Sequence, residues 1–163
     1  MPTCGVVYVH STPLAVCQHV EWAIARVLTA PVNLQWTAQP ADPGMRRAEC
    51  SWTGRSGTGA ELAAALRQWS MIRFEVTEEP SPGVDGERFM HVPGRGLFHG
   101  VMGAAGDIQI GEDRLRSIMD SVRAPEALAH ALEKALGTAW DAELEPYRYA
   151  GDGAPVTLLT RVG

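Results

Sequence analysis

The sequence predicts an α+β fold in which a ferredoxin-like split βαβ unit is extended by a β-hairpin and C-terminal helices. Three observations predict it: stretches in which apolar and polar residues alternate, stretches with apolar residues at helical spacing, and their order along the chain. The order strand, helix, strand, strand, helix, strand (βαββαβ) fills residues 1–79, and residues 80–163 add the hairpin and helices. With 163 residues and 45% hydrophobic content, the chain can bury one core, so we expect a single domain over residues 1–163.

The first strand and the first helix have clear local signals. Residues 5–10 are rich in β-branched and aromatic side chains, as strands are. Thr12 and Pro13 are typical of the cap and the first position of a helix, and apolar residues then recur at helical spacing as far as Leu28. The chain is therefore predicted to start with a strand and a helix.

Alternation predicts three more strands, at residues 32–37, 47–52 and 72–77. Thr58 and Glu61 have capping-box spacing and open a second helix before the last of these strands. If both helices cover one face of the sheet, the other face is polar, and it is either covered by the second half of the chain or open for docking. The side chains on that face are Tyr8, His10, Asn33, Gln35, Arg47, Glu49, Ser51, Arg73, Glu75 and Thr77.

The second half of the chain is predicted to form a hairpin and then helices. The predicted elements are strands at residues 88–92, 97–101 and 156–159 and helices at residues 112–122 and 125–140. The hairpin turns through Pro93-Gly94-Arg95-Gly96, and the last helix is expected to continue past Gly137. Residues 141–149 are predicted to be irregular.

Composition excludes several classes of protein. A net charge of −5 and a pI near 5.5 disfavour a general nucleic-acid binder, which needs a basic face. The three cysteines lack metal or disulfide spacing, which is typical of reduced thiols in the cytoplasm. No segment approaches the roughly 18 apolar residues of a membrane span, and the first residues do not resemble a signal peptide. We therefore expect a cytoplasmic protein with no membrane contact.

The first candidate for chemistry is His91 with His99, joined by Glu75 or Glu87 as metal ligands or as an acid–base pair. A hairpin loop of two or four residues would point the two imidazoles to opposite faces, and a loop of three would bring them to one face. No third ligand stands at a recognisable spacing. The histidines are therefore interpreted as structural or surface residues, and no catalytic residue, metal or cofactor is assigned.

The second candidate is a glycine-rich turn between a strand and a helix N-terminus. Free backbone N–H groups there suit an anion, so phosphate or CoA binding is one interpretation, and a plain turn with a helix cap is the other. The pattern matches neither a P-loop nor a dinucleotide-binding fingerprint. The candidate ligand-binding residues are Arg55, Ser56, Gly57, Thr58 and Gly59.

The third candidate is the acidic loop after the strand at residues 72–77. Paired carboxylates can hold Mg²⁺ or act as acid and base, although an acidic loop with two prolines is usually just solvated. A rigid acidic loop beside aromatic residues also suits protein docking. The candidate partner-binding residues are Glu78, Glu79, Asp85, Glu87, Phe89, His91 and Phe98.

Five motifs carry a resemblance to a known family. They are GVVYVHS at 5–11, HVEWA at 19–23, FEVTEEPSPGVDGER at 74–88, GEDRLR at 111–116 and AWDAELEPYRYAGDGAPV at 139–156. With them the chain resembles, from end to end, a family of small actinobacterial proteins classed as a domain of unknown function; Cys4 departs from the basic residue expected there. The resemblance implies an intracellular protein and supplies no catalytic residues. It also implies proximity to fatty-acid synthesis genes, and hence a partner in acyl-CoA carboxylation or chain elongation.

These observations predict a non-enzymatic interaction or regulatory subunit. It would bind a larger complex, such as acyl-CoA carboxylase or fatty-acid synthesis enzymes, through the acidic hairpin region and the open sheet face. The alternative is a sensor of a small ligand, acyl-CoA or a nucleotide, at the glycine-rich turn. The third hypothesis is an enzyme that uses His91 and Glu75. Homo-oligomerisation is left open.

Overall fold

The computed structural model describes residues 1–150 and 153, together with the backbone of residues 156–160. The other residues of the predicted domain, 151–152, 154–155 and 161–163, lie outside the described part. The elements are β1 (Pro2–Pro13), α1 (Leu14–Leu28), β2 (Thr37–Ala38), β3 (Met45–Arg55), α2 (Thr58–Leu66), β4 (Arg73–Glu78), β5 (Gly86–Val92), β6 (Gly96–Met102), β7 (Ile108–Gln109), α3 (Glu112–Ser121), α4 (Pro125–Leu136), α5 (Thr138–Tyr149) and β8 (Val156–Thr160).

One sheet runs through the molecule in the order β2-β3-β1-β4-β5-β6-β7. All neighbours along this path are antiparallel. β8 lies off the path and pairs in parallel with β3 along Glu49–Thr53. The mixed fold of helices and a mainly antiparallel sheet is thus confirmed, and the hairpin and the last strand form as predicted.

The core lies where α1 and α2 cover one face of the sheet. Because side chains alternate along a strand, every second residue of β1, β3 and β4 points into this layer. Its fully buried members include Val7, Val9, Ile24, Leu28, Cys50, Trp52, Leu62, Leu66, Phe74 and Val76. A smaller cluster of Met90, Val92, Phe98 and Leu144 packs on the opposite face, beneath α5. The sheet therefore has a helix layer on both faces, with α5 covering part of the polar face.

The strand predicted at residues 32–37 is wrong for most of its length, since only Thr37–Ala38 pairs with β3. The cause is the buried carboxylate of Glu21 in α1. Its Oε1 accepts the backbone N–H of Leu34 at 2.8 Å and the indole N–H of Trp36 at 2.9 Å. This segment therefore bonds to a helix side chain instead of a strand, and Asn33 and Gln35 lie outside the sheet.

The helical end of the described chain also differs from the prediction. Gly137 has a φ of 73° and ends α4, so the expected continuous helix to residue 140 is two helices. Residues 141–149, predicted to be irregular, belong to α5, which continues through Pro146. Fully buried Leu144 and the contacts of Arg148 described below offset the backbone hydrogen bond that proline removes. Within the described residues, no helix combines the length and the apolar character required to cross a membrane.

Candidate functional site

A cavity of about 490 Å³ lies on the sheet face opposite α1 and α2, and we refer to it as the polar cavity. Strands β1, β3, β4 and β5 supply its floor and α5 supplies one wall. Its lining residues are Tyr8, His10, Arg47, Glu49, Glu75, Thr77, Arg88, Met102, Gly106 and Arg148. The first six were predicted for this face, because the period of two places them there whichever strands are neighbours.

Glu75, in the middle of β4, is the central acid of the site. Its side chain is 4% exposed, and it accepts four hydrogen bonds, from Nε2 of His10 at 2.6 Å, Nη2 of Arg88 at 2.8 Å, and Nε and Nη2 of Arg148 at 2.8 and 2.7 Å. Burial alone would raise the pKa of Glu75, but the hydrogen bonds and charges of His10 and Arg148 hold it well below its ordinary value. Glu75 is therefore a fixed carboxylate.

Arg148 joins α5 to the sheet. Its Nη1 donates to Asp141 at 2.8 Å and to Glu145 at 2.9 Å, while Nε and Nη2 donate to Glu75. Burial would lower the pKa of Arg148, but its hydrogen bonds to Glu75 and Asp141 raise it above the ordinary value. Arg88 completes this ion network, with Nη2 3.6 Å from Asp141. The positive charges of Arg88 and Arg148 are thus already matched within the protein.

Arg47 on β3 is in a different position. Its side chain is 5% exposed, and Nη2 has one loose ion pair, 3.9 Å from Glu49. Its Nε and Nη1 are buried and have no hydrogen-bond partner in the part of the chain that the structure describes. Burying a cation without hydrogen bonds is costly, so this guanidinium is the least satisfied charge of the cavity.

His10, at the β1 bulge beside Arg47, has a related deficit. Its ring stacks on Tyr8 with centroids 5.8 Å apart, and Nδ1 is buried without a partner among the described residues. Because the Glu75 carboxylate can only accept, the proton between the two groups sits on Nε2 of His10.

A comparison with known protein families identifies the family of this chain. A family model described as a protein of unknown function (DUF3145) matches residues 6–161. The chain belongs to this family. The match confirms that the five motifs belong to a family of unknown function. No curated protein and no solved structure matches the chain.

In this DUF3145 member, the glycine-rich turn is already occupied by the protein's own anion. The backbone N–H groups of Gly57 and Gly59 donate to the buried carboxylate of Glu78, at 2.9 and 2.8 Å. The guanidinium of Arg55 pairs with Glu61. A phosphate at the α2 N-terminus would therefore have to displace the Glu78 carboxylate from these two backbone N–H groups.

The residues predicted for partner binding divide into buried and exposed sets. Phe89 lies in the main core, Phe98 lies in the cluster beneath α5, and Glu78 and His91 are also buried. None of these four reaches a partner without local unfolding. The others are Glu79 and Asp85, which are exposed, and Glu87, which is half-buried and 3.2 Å from Nε2 of His99.

His91 and Glu75, the pair of the third hypothesis, do not lie together. The hairpin loop has three residues, since Val92 pairs with Gly96, so His91 and His99 share a face. On that face His91 stacks on Phe74 and lies with Nδ1 2.8 Å from the Ile72 carbonyl. Burial lowers the pKa of His91. Glu75 points to the opposite face, and the described residues contain no group of three or more side chains suited to a metal.

Sequence reasoning missed Arg88 and Arg148 as members of the site. Asp141, Glu145 and Arg148 have the spacing of one helix face, and this was the available signal. Pro146 concealed it because proline is usually a helix breaker.

Proposed function

We propose that this chain is a small-ligand-binding module that holds an organic anion in the polar cavity. The observation that supports it is Arg47, a buried guanidinium in the cavity lining with two unpartnered nitrogens. A carboxylate or phosphate oxygen is the acceptor that such a group binds best. Arg88 and Arg148 are engaged with Glu75, so Arg47 is the residue we expect to recognise the charge.

The shape and polarity of the cavity also support a small organic ligand. Its volume of about 490 Å³ is within the range of roughly 300–1,000 Å³ that small-molecule sites have. Met102, Gly106 and the ring of Tyr8 form a less polar part of the lining. We therefore expect a ligand with one anionic end and a less polar body, and we propose binding without catalysis.

The test compares the wild-type chain with Arg47→Gln in thermal-shift and calorimetric titrations against carboxylates, phosphates, nucleotides and acyl-CoAs. A ligand should raise the Tm of the wild type, and Arg47→Gln should weaken its binding about tenfold or more, the loss expected for a charged hydrogen bond. Without ligand the variant should be as stable as the wild type or more so, because it removes a poorly satisfied buried charge.

Arg116→Gln is the matched control, because Arg116 is an exposed arginine outside the cavity. It should bind the ligand like the wild type. Equal binding by wild type and Arg47→Gln would overturn the proposal, and so would a panel in which no anion raises the Tm.

A second candidate function is protein docking at the acidic loop, with a fatty-acid synthesis or acyl-CoA carboxylase complex as the proposed partner in the cytoplasm. The observation that favours it is the loop tip, where Val84 is 46% exposed next to exposed Asp85, with exposed Glu79 at the loop base. The described residues contain three free cysteines, which suits that compartment.

Charge reversal tests the docking candidate. In a tagged pull-down from native cytoplasm, Glu79→Lys/Asp85→Lys should capture less of the partner, because rim charges speed encounter. Asp113→Lys/Glu126→Lys, which reverses two exposed acids on α3 and α4, is the matched control. Undiminished capture by the loop variant would count against docking there.

We also propose that β1 to β4 with α1 and α2 form a ferredoxin-like unit. The neighbour order β4-β1-β3-β2 and the antiparallel pairing of each neighbour support this proposal.

A further inference from the structure

Two neighbouring charges of the polar cavity, Arg47 and Glu49, make no hydrogen bond within the described residues, and we call them the β3 pair. They are two positions apart on β3, so they share a face of the sheet. Nη2 of Arg47 is 3.9 Å from Oε2 of Glu49, beyond the roughly 2.7–3.2 Å of an N–H···O hydrogen bond. Because Nε and Nη1 are buried, Nη2 is the nitrogen through which Arg47 meets the cavity. The Glu49 side chain is 23% exposed there.

The other charged side chains of the lining are bound to one another. Glu75 accepts four hydrogen bonds, which come from His10, Arg88 and Arg148. Both of these arginines also lie within 3.6 Å of Asp141 on α5. A ligand therefore meets the β3 pair as the part of the lining where a cation and an anion are open to a new partner.

The complement of the β3 pair carries both signs of charge. A simple carboxylate that binds Arg47 would lie beside the Glu49 carboxylate and would be repelled by it. A simple amine that binds Glu49 would be repelled by Arg47 in the same way. A zwitterion avoids both repulsions, since its anionic end faces the guanidinium and its ammonium group faces the carboxylate.

The spacing of the β3 pair indicates an α-amino acid. Three bonds separate the nitrogen of such a molecule from its carboxylate oxygens, which places these atoms about 3 Å apart. The atoms that they would meet are 3.9 Å apart. The two separations are similar enough for one molecule to reach Nη2 and Oε2 at hydrogen-bond distance together.

Building on the proposed function, we infer that the ligand is a free α-amino acid with an apolar side chain. Its carboxylate binds Nη2 of Arg47, and its ammonium group binds Glu49. Tyr8 lies directly opposite Glu49 across the β1–β3 pairing, and Tyr8 and Met102 belong to the less polar part of the lining. The side chain of the amino acid packs there. Glu49 is thus the specificity residue, and Arg47 provides affinity for the carboxylate.

The test uses matched pairs that differ only in the amino group: leucine and 4-methylpentanoate, valine and 3-methylbutanoate, and phenylalanine and 3-phenylpropionate. Calorimetric titration of the full chain at pH 7 should show at least one amino acid binding about tenfold more tightly than its partner, the effect of one charged hydrogen bond. N-acetylleucine, whose nitrogen carries no charge, should bind no more tightly than 4-methylpentanoate.

Glu49→Gln separates recognition of the ammonium group from a structural role. The variant keeps the size of the side chain and removes its charge, so most of the tenfold advantage of the amino acid should disappear. It should bind the partner without the amino group at least as tightly as the wild type, because the acid beside the bound carboxylate is gone. Arg47→Gln should instead weaken both members of a pair.

Glu126→Gln is the control, because Glu126 is an exposed acid on α4 outside the cavity. It should keep the wild-type affinity for both members of each pair, and with it the advantage of the amino acid. A loss of that advantage in the control would mean that the overall charge of the chain, and not Glu49, sets the preference, and it would overturn the inference.

The remaining outcomes distinguish the inference from the proposal on which it rests. Equal binding of the two members of every pair would overturn the inference and leave anion binding at Arg47 standing, and so would binding of phosphates alone. An amino-acid advantage that persists in Glu49→Gln would also overturn it. Loss of both members in Glu49→Gln would do the same, because Glu49 would then only support the cavity. If no carboxylate, phosphate or amino acid binds in a manner that depends on Arg47, both fail.

Discussion

At the scale of single residues, Glu75 decides how the cavity is built. One carboxylate receives hydrogen bonds from the histidine that lines the cavity and from both arginines of the ion network. Removing one member of such a buried set leaves the others charged and unpaired, and this costs more than the set itself contributes. The site is therefore sensitive to Glu75 even though Glu75 is not expected to touch the ligand.

Glu75→Gln should lower the free energy of unfolding by about 3–5 kcal/mol at pH 7. The folded-state pKa of Glu75 lies below its unfolded value of about 4.3, so its contribution is complete above that value. As the pH falls below about 4 towards the lower folded pKa, the gap between wild type and variant should narrow by up to about 1.4 kcal/mol per pH unit. Urea titrations from pH 7 to pH 2.5 measure it.

Glu87→Gln is the control for this prediction. Glu87 is half-buried and pairs with exposed His99, so its loss should change stability by about 0–1 kcal/mol at pH 7. A gap between wild type and Glu75→Gln that is the same at every pH would contradict the account given for Glu75.

At the scale of elements, α5 and β2 show where local patterns mislead. Alternating residues predict a strand at 32–37, but the carboxylate of Glu21 takes the backbone N–H of Leu34. Pro146 predicts that residues 141–149 are irregular. The burial of Leu144 and the hydrogen bonds of Arg148 to Glu75 instead stabilise a helix there. Helix propensity differs by less than about 1 kcal/mol between ordinary residues, and proline costs about 3 kcal/mol, so several tertiary contacts together can exceed either.

The junction between α4 and α5 offers a test of how α5 is placed. Gly137 combines a φ of 73° with close packing, since an added Cβ would lie 2.8 Å from Met90 Cε and from Phe98 Cζ. Gly137→Ala should therefore lower the free energy of unfolding by about 2–4 kcal/mol, from backbone strain and overpacking together. Chemical denaturation measures the loss.

Gly94→Ala isolates the backbone part of that cost. Gly94 has a φ of 81°, but an added Cβ would meet no atom within 4 Å. Gly94→Ala should therefore lower the free energy of unfolding by about 1 kcal/mol. If both variants lose the same amount, packing at the junction is not what positions α5.

At the scale of the whole molecule, the sequence predicts well which face of the sheet a side chain occupies. It predicts poorly which distant residues that side chain contacts. A period of two assigns Tyr8, His10, Arg47 and Glu75 to one face without knowledge of the neighbouring strands. It says nothing about Arg148, which bonds to Glu75 across 73 positions of sequence. The polar floor of the cavity was thus predictable, while its wall and its ion network were not.

The glycine-rich turn makes the same point for a candidate site. Residues 55–59 have the local chemistry of an anion-binding site, and their backbone N–H groups do bind an anion. It is Glu78, which the sequence presents as one more acid of a solvated loop. A local pattern can predict the kind of group that binds, but only the fold shows whether the chain itself supplies it.

The pairing of β8 with β3 has a consequence for synthesis on the ribosome. β3 has β1 on one edge and meets β8 on the other along Glu49–Thr53. In the nascent chain, that second edge stays unpaired from the time β3 is made until residues 156–160 emerge. An open strand edge pairs readily with other chains, so this stretch exposes the unfinished protein to aggregation.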